Sequence, residues 1–589
     1  MTDPQLFLTE RVQQALAAAF GPEFSDADPL IRPSQFADYQ ANVAMSLTKR
    51  LGRKNPREVA QEIAERLTGA ASPGAAKVSG PDFPGTVEVS GPGFLNITLD
   101  DAWIAGQATD VLADPHTGVV MTDSPQTVVV DYSAPNAAKE MHVGHLRTTI
   151  VGDALVRVHE HVGNKVVRQN HLGDWGTPFG MLIEHLLDIG EEAAVAQLEA
   201  GEGNEYYQAA RVKFDSDPEF NKRARARVVT LQAEEPETMR LWHIFMNATV
   251  RYFNKVYTRL GVTLTDDDIA GESMYNAALP QVCDELQERG IAVISDGALC
   301  VFPPGFTGRE DQPLPFMIRK SDGGYGYATT DMATIRYRVQ DLKADRIIYV
   351  IGATQALHMS MLFASARMAG WLPEHVRAEH VQIGSVLGSD GKMFKTRSGK
   401  SIKLLELLDE ADVRAAAVIA EREYDDAARA EIAHAVGMGA VKYADLSVSH
   451  DSEYVFDFDR MLALTGNTGP YLQYATARIR SIFRKGGVGP SQAAGPVVLR
   501  HPAERALALR LLGFGAAVAE TAEDSAPHRL AAFLFDTASA FTTFYENCPV
   551  LRADVEEETR ASRLALCGLT LRVLETGLDL LGVPVPERM

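Results

Sequence analysis

Apolar positions along the chain fall into three regimes. From the first residues to about 112 they mix helical and strand spacing. A helical stretch from Leu8 to Phe20 and another from Pro56 to Leu67 flank TVEVS at 86–90 and FLNITL at 94–99, which reads as a small α+β unit. After the turn-rich DPHTG and TDSPQ the pattern changes to TVVVDY at 127–132, a continuous β-branched run of the kind buried in a parallel sheet. HLRTTIVGDALVRVHEHVG follows, with Leu146, Ile150, Ala154 and Val158 at helical spacing and Gly163 placed to stop the helix. KVVRQN is the next strand. Strand, helix and strand in this order predict a right-handed βαβ crossover and a doubly wound sheet.

From about 180 to 320 the pattern is helical and rich in charge, an insertion with no motif of its own. Strands return with RIIYVIG at 346–352 and HVQIGSVL at 380–387, and beyond Leu404 almost everything is helical. The expected architecture is α/β: a Rossmann-like, doubly wound parallel-sheet domain at 113–403 carrying the 180–320 insertion. A small α+β domain at 1–112 precedes it. A helical connecting region at 404–460 and an all-α domain at 461–589 follow.

Composition narrows this only a little. The length of 589 residues is a prior of about four domains. Apolar residues make up 46% and charged residues 23%, as in globular proteins with large cores. No stretch approaches the roughly 18–20 apolar residues of a membrane helix, and Glu10 interrupts the apolar start, so no secretory signal is expected. Cys283, Cys300, Cys548 and Cys567 lie far apart, which suits a reducing cytoplasm and offers no zinc knuckle. The net charge of −21 argues against a general nucleic-acid coat. Positive charge is local instead. Lys392, Lys395, Arg397, Lys400 and Lys403 stand against Asp390 alone, and Arg478, Arg480, Arg484 and Lys485 form a second cluster.

Candidate chemistry begins at the turn after TVVVDY, where Ser133-Ala134-Pro135-Asn136 leads to His142-Val143-Gly144-His145. Two histidines three apart at a helix start lie beside free N–H groups and the positive dipole end. Such a place binds phosphate, and Gly144 lets a nucleotide lie against the backbone. The bland alternative is a capped helix with surface histidines. The second element, GSDGKMFKTRSGKS at 388–401, is a glycine-containing basic loop suited to gripping a polyphosphate; alone it would read as a solvated surface loop. A third is Tyr327-Ala-Thr-Thr-Asp331, followed by Gln355. A carboxylate there could pair a guanidinium, or Asp331 could cap a helix MATIRYRV with Tyr327 as a core aromatic. The fourth is PYLQYATARIRSIFRK, with Tyr471, Tyr474 and Arg478 on one helix face. Aromatics beside cations suit stacking on unpaired bases, though tyrosines at this spacing also serve as core.

HVGH and KMFKT resemble the paired ATP motifs of class I aminoacyl-tRNA synthetases. DYSAPNAAKEMHVGHLR, NHLGDWGTPFGML, YGYATTDMATIRYR, KMFKTRSG and GNTGPYLQYATAR are similar, in order and spacing, to the arginyl-tRNA synthetases, and SQFADYQAN at 34–42 resembles that family's N-terminal domain. Phe394 and Thr396 depart from the serines of the family's loop, and Pro178 stands where glutamine is expected.

The resemblance implies an arginine–tRNA ligase. The enzyme would form arginyl adenylate from L-arginine and ATP accompanied by Mg²⁺, then pass the arginyl group to the terminal ribose of its tRNA. It implies an ATP site of Pro135, Asn136, His142, Gly144, His145, Lys392 and Lys395, with His142, His145, Lys392 and Lys395 catalytic. It implies an arginine site in which Tyr327 and Asp331 hold the guanidinium. Asp131, Asn136 and Gln355 would hold the ammonium and carboxylate end, with Ser133, Ala134 and His145 beside them. Tyr471, Tyr474, Arg478, Tyr545 and Met589 are the implied anticodon contacts, and Phe36, Tyr39 and Asn42 the implied contacts of the N-terminal domain. A cytoplasmic monomer without protein-bound metal or membrane attachment is expected. Two rivals remain: a nucleotidyl transferase that activates a small carboxylate without RNA, and a non-catalytic tRNA-binding scaffold.

Overall fold

In the computed structural model the chain is described from residue 3 to 589, except for 54, 70–76, 81–82, 138, 200–201, 309–310, 389, 395–401, 421–423 and 494, and the side chains of 77–80 and 491. Strand β1 (Thr127–Asp131) leads to helix α1 (Val143–His161) and strand β2 (Lys165–Gln169). After the insertion come α2 (Tyr327–Gln340), β3 (Arg346–Gly352), α3 (Ala356–Met368) and β4 (Arg377–Ile383). The four strands form a parallel sheet in the order β4-β3-β1-β2. The chain therefore leaves β1 in one direction for β2 and in the other for β3 and β4. That reversal opens a crevice at the carboxyl ends of the strands, where such sheets bind ligands. Register sets Asp131 level with Tyr349 on β3 and Gln169 on β2.

Three expectations need correction. HVQIGSVL is not one strand: the sheet strand ends at Ile383, and Val386–Leu387 pairs instead with Tyr454–Val455. The insertion is not wholly helical. After five helices between Thr177 and Leu260 it contains a three-stranded antiparallel sheet of Ala292–Ser295, Ala298–Val301 and Phe316–Arg319. Its hairpin turns on Asp296-Gly297, both at positive φ (49° and 80°), the backbone that an Asp-Gly pair favours in a two-residue turn. Finally, the helix containing MATIRYRV begins at Tyr327 behind Gly326, so Asp331 lies inside it and is not its cap.

The N-terminal unit is a five-stranded antiparallel sheet with helices Pro4–Phe20, Val43–Arg50, Pro56–Thr68 and Asp101–Ala113. At the other end, among the described residues, seven helices from Leu404–Val418 to Glu557–Leu580, each of eleven residues or more, join one short helix, Phe458–Met461; we label Gly469–Gly486 α4. Arg505 ties the two ends of the chain together, donating to Asp38 at 2.7 and 2.8 Å and to Asp101 at 2.6 Å. Among the described residues no helix is long and apolar enough to cross a membrane.

Candidate active site and nucleic-acid interface

The start of α1 is built by its two histidines. His142 occupies the N-cap, where its Nδ1 accepts from the Gly144 N–H at 3.0 Å; the His142 N–H in turn donates to Nδ1 of His145 at 3.1 Å. A side chain on residue 144 would place its Cβ 2.8 Å from the His142 ring, so glycine is required for this cap as well as for backbone access. With both Nδ1 atoms accepting, each ring carries its proton on Nε2. Burial pushes His145 down to about 3, and burial together with the nearby Lys139 lowers His142. Both rings are neutral donors at physiological pH, so positive charge here comes from the helix end and lysines.

The backbone before α1 is unusual. Ser133 and Ala134 both adopt positive φ (66° and 42°), which turns the chain sharply off β1. The Ser133 hydroxyl is held by Tyr257 at 2.8 Å and Thr149 at 2.9 Å, and the Ala134 N–H donates to Asn170. Asn136 emerges exposed and bridges to Gly173, while Pro135 is buried with its carbonyl accepting from the Gly173 N–H.

Asp131 is fully buried and shares Arg338 with Gln169: Nη2 reaches Asp131 Oδ2 at 2.8 Å and Nε reaches Gln169 at 2.6 Å. Asp131 Oδ1 has no partner among the described residues, so one oxygen is free to accept from an ammonium. A buried pair of this kind adds little net stability, yet removing one partner costs about 3–5 kcal/mol. Stability is a poor reason to keep it at a ligand cleft.

Across the crevice, Tyr327 and Asp331 stand four apart in the first turns of α2, on one face. Tyr327 is 75% exposed, which excludes a core role. Asp331 accepts from His358 Nε2 on α3 at 2.6 Å. Glu272 comes within electrostatic reach of both Tyr327 and Asp331. Burial, then the Asp174 and Asp331 carboxylates, push Glu272 up to about 8. Asp174 itself is buried and held by the Ser273 N–H at 2.9 Å and hydroxyl at 2.6 Å. Glu272 thus feels two other carboxylates, a setting that favours an incoming cation. Gln355 ends the short turn after β3 and is exposed.

The basic loop returns to α1. Leu404 N–H donates to the Met141 carbonyl at 2.9 Å, and Lys403 pairs with Glu140 at 2.9 Å. Lys392 sits in a tight turn, its carbonyl accepting from the Gly388 N–H at 2.7 Å. Phe394 stacks on Phe456 at 4.9 Å, so an aromatic fills a place where the family's serine would not. Lys395 and Thr396 lie outside the described residues.

A separate cavity of about 830 Å³ opens at the C-terminal helices and brings together Tyr474, Arg478, Tyr545 and Met589. The Arg478 guanidinium lies 4.8 Å from the Tyr474 ring and 5.3 Å from that of Tyr545. Arg484, Lys485, Arg552 and Arg588 also line it, and none of the described residues lining it is acidic. Tyr471 is not part of it; its ring packs against Phe535 and its hydroxyl meets Thr542. In the N-terminal unit Phe36 is 83% exposed, but Tyr39 is only 7% exposed and faces the core. Asn42 is half-buried at the N-cap of the helix Val43–Arg50.

Comparison with known proteins decides among the readings. Residues 107–458 match the catalytic domain of class I (R) tRNA synthetases, 472–589 the DALR anticodon binding domain, and 7–99 the arginyl tRNA synthetase N terminal domain. The chain belongs to the arginyl-tRNA synthetase family. It is 61% identical to the arginine–tRNA ligase of Thermobifida fusca over 100% of both chains, and 50% identical to that of Frankia casuarinae over 99% of both. The crystal structure of arginyl-tRNA synthetase from Plasmodium falciparum aligns with a TM-score of 0.83 at 27% identity over 99% of each chain. The Thermus thermophilus arginyl-tRNA synthetase aligns at 0.78 and 25% over all of both.

For a synthetase of this family, the sequence reading overlooked Glu272, Asp174 and His358. Glu272 falls within the insertion taken to be without motifs, and no local spacing links residues 174, 272 and 331. His358 offered a weak signal as the polar residue after the Gln355 turn, six residues past the strand end.

Proposed function

We infer that the enzyme activates L-arginine with ATP, entering with its Mg²⁺ as one substrate, to arginyl adenylate and pyrophosphate, and then esterifies the 3′-terminal ribose of tRNA(Arg). The observation that carries this reading is the acidic slot of Asp331, Glu272 and Asp174 in a chain that also has the histidine-capped start of α1. Arginine's guanidinium enters between Tyr327 and these acids, and Asp131, Asn136, Ser133, Ala134 and Gln355 receive its amino-acid end. The carboxylate is already a nucleophile, so attack on the α-phosphorus needs positioning and charge stabilisation, without a general base. Pro135, Asn136 and Gly144 shape the nucleotide site. The neutral Nε2–H groups of His142 and His145 donate to the phosphates from the helix end, while Lys392 and Lys395 neutralise the departing pyrophosphate.

The anticodon is read in the cavity of Tyr474, Arg478, Tyr545 and Met589, with Tyr471 supporting it from the core side of α4. Phe36 is the N-terminal contact to the tRNA, and Tyr39 and Asn42 support it from within. The functional division of the chain follows 1–112, 113–403, 404–460 and 461–589, and the working form is a cytoplasmic monomer. Pyrophosphate exchange with arginine and ATP, run with and without tRNA, tests the reading. Arginine-dependent exchange followed by tRNA charging supports it. Exchange with another carboxylate and no charging would favour an RNA-independent nucleotidyl transferase, and tRNA binding without exchange would leave a scaffold.

A further inference from the structure

Arg147 stands two residues after His145 and is only 1% exposed. A guanidinium so deeply buried in the second turn of α1 must satisfy its donors. Nε donates to Asp445 at 3.0 Å, Nη1 to the Ser452 carbonyl at 2.8 Å and Nη2 to the Ser449 carbonyl at 3.5 Å, while the group lies 5.1 Å from the Tyr454 ring. One side chain thus holds the whole turn 449–454 against α1.

That turn is also the footing of the lysine loop. Tyr454–Val455 pairs in parallel with Val386–Leu387, and Phe394 N–H returns to the Val386 carbonyl at 3.0 Å. The Phe394 ring stacks on Phe456, two residues past Tyr454. Gly384 lies so close to this turn that a Cβ there would be 2.5 Å from the Ser452 carbonyl, which fixes the approach of the two segments. The far end of the loop is tied to α1 directly through Leu404 and Lys403. Both sides of the segment bearing Lys392 are therefore referenced to one helix start, the near side through the turn that Arg147 grips as well as through the sheet strand that ends at Ile383.

We propose that Arg147 is a positioning residue that sets the distance between the α1 histidines and Lys392. It acts through Asp445, Tyr454 and the Val386–Leu387 strand and touches no substrate. This inference rests on the synthetase reading above. A planar fork with three separate acceptors cannot be replaced by an ammonium. Arg147→Lys keeps the charge facing Asp445 but releases the 449–452 carbonyls, and a shift of about 1 Å at the loop lowers turnover by roughly 100-fold.

The test is pyrophosphate exchange in the full-length enzyme with tRNA(Arg) present. We compare the parent, Arg147→Lys, Lys392→Ala and the double variant, with arginine affinity measured separately by calorimetry. Arg147→Lys is expected to lower turnover while leaving the arginine Kd within about twofold, since the acidic slot does not hang on this turn. If positioning is the mechanism, Arg147→Lys adds less than about fivefold to the defect of Lys392→Ala. Multiplying defects, or normal turnover in Arg147→Lys, would overturn the proposal. Should Arg147→Lys not fold, Phe394→Leu loosens the opposite end of the same linkage without disturbing the buried ion pair, and the same comparison with Lys392→Ala decides. A parent enzyme without arginine-dependent exchange would count against the synthetase reading, whereas an active parent with multiplying defects counts only against the role of Arg147.

Discussion

The crevice at the end of the parallel sheet and the cavity beside α4 are both strongly charged, but they hold their charge in different ways. In the crevice three carboxylates already have an appointed partner: Arg338 on Asp131, His358 on Asp331, Ser273 on Asp174. In the α4 cavity five cations share one open volume, with Arg478 laid against two tyrosine rings. A small, permanently charged substrate must be told from near-isosteres, which requires desolvated groups that are penalised when left unpaired. A long polyanion is bound by many weak contacts, and stacking surfaces ringed by several cations serve that better. The two sites should therefore fail in different ways.

Asp331→Asn carries the largest expected effect. It keeps the shape but deletes the charge, and should cost arginine kcat/KM about 3 kcal/mol. That is the lower end of the range for an uncompensated buried ion, because Asp331 keeps some exposure to solvent. Since Asp331 caps no helix, Tm should hold. Near-normal arginine kinetics would show that the acidic slot binds something else.

At the other site, Tyr545→Ala should raise the tRNA KM by about 1–3 kcal/mol, the contribution of one stacked base, with arginine and ATP parameters unchanged. Binding should also weaken steeply with salt despite the net charge of −21. Point variants are preferable to truncation here. Lys442 on the helix Asp426–Leu446 donates to the Leu260 carbonyl at the end of an insertion helix, and Arg147 on α1 is paired with Asp445 of that same helix. Parts of the chain distant in sequence therefore share one interior. A tRNA defect matched by an equal loss of arginine activation would dissolve the contrast between the sites.

The smallest effect concerns protons. With Glu272 raised to about 8 from an ordinary 4.5, the free folded enzyme holds a proton at pH 7 that the unfolded chain has lost. The contribution to stability therefore falls as pH rises through that window. A guanidinium arriving beside Glu272 favours its ionised form, so arginine binding at pH 7 should release about one proton. Calorimetry in buffers of different ionisation enthalpy measures this, and a buffer-independent heat would remove Glu272 from the slot.

Much of this architecture is readable from residue patterns because its signals are local. TVVVDY, HVGH and RIIYVIG each announce a strand or a helix start within a few residues. The Asp-Gly hairpin at 296–297 was equally local and lay inside a stretch taken to be helical. HVQIGSVL misled for a different reason: its apolar run continues across Gly384, and only the carbonyl of Ser452, nearly seventy residues away, decides where the strand ends. The acids of the slot are harder still. Asp174, Glu272 and Asp331 come from a loop, an insertion and a helix, and no periodicity relates them. Tyr39 was misleading because a buried tyrosine and a tRNA-facing one have the same identity in sequence.

Citrulline tests the central claim most directly. It matches arginine in shape but replaces the charged fork with a neutral urea. Pyrophosphate exchange should favour arginine over citrulline by about 10⁴-fold in kcat/KM, as expected of a site whose buried polar groups are left unpaired by the wrong ligand. A preference within tenfold would mean that the acids around Asp331 do not read the guanidinium, and the account of the slot would fail.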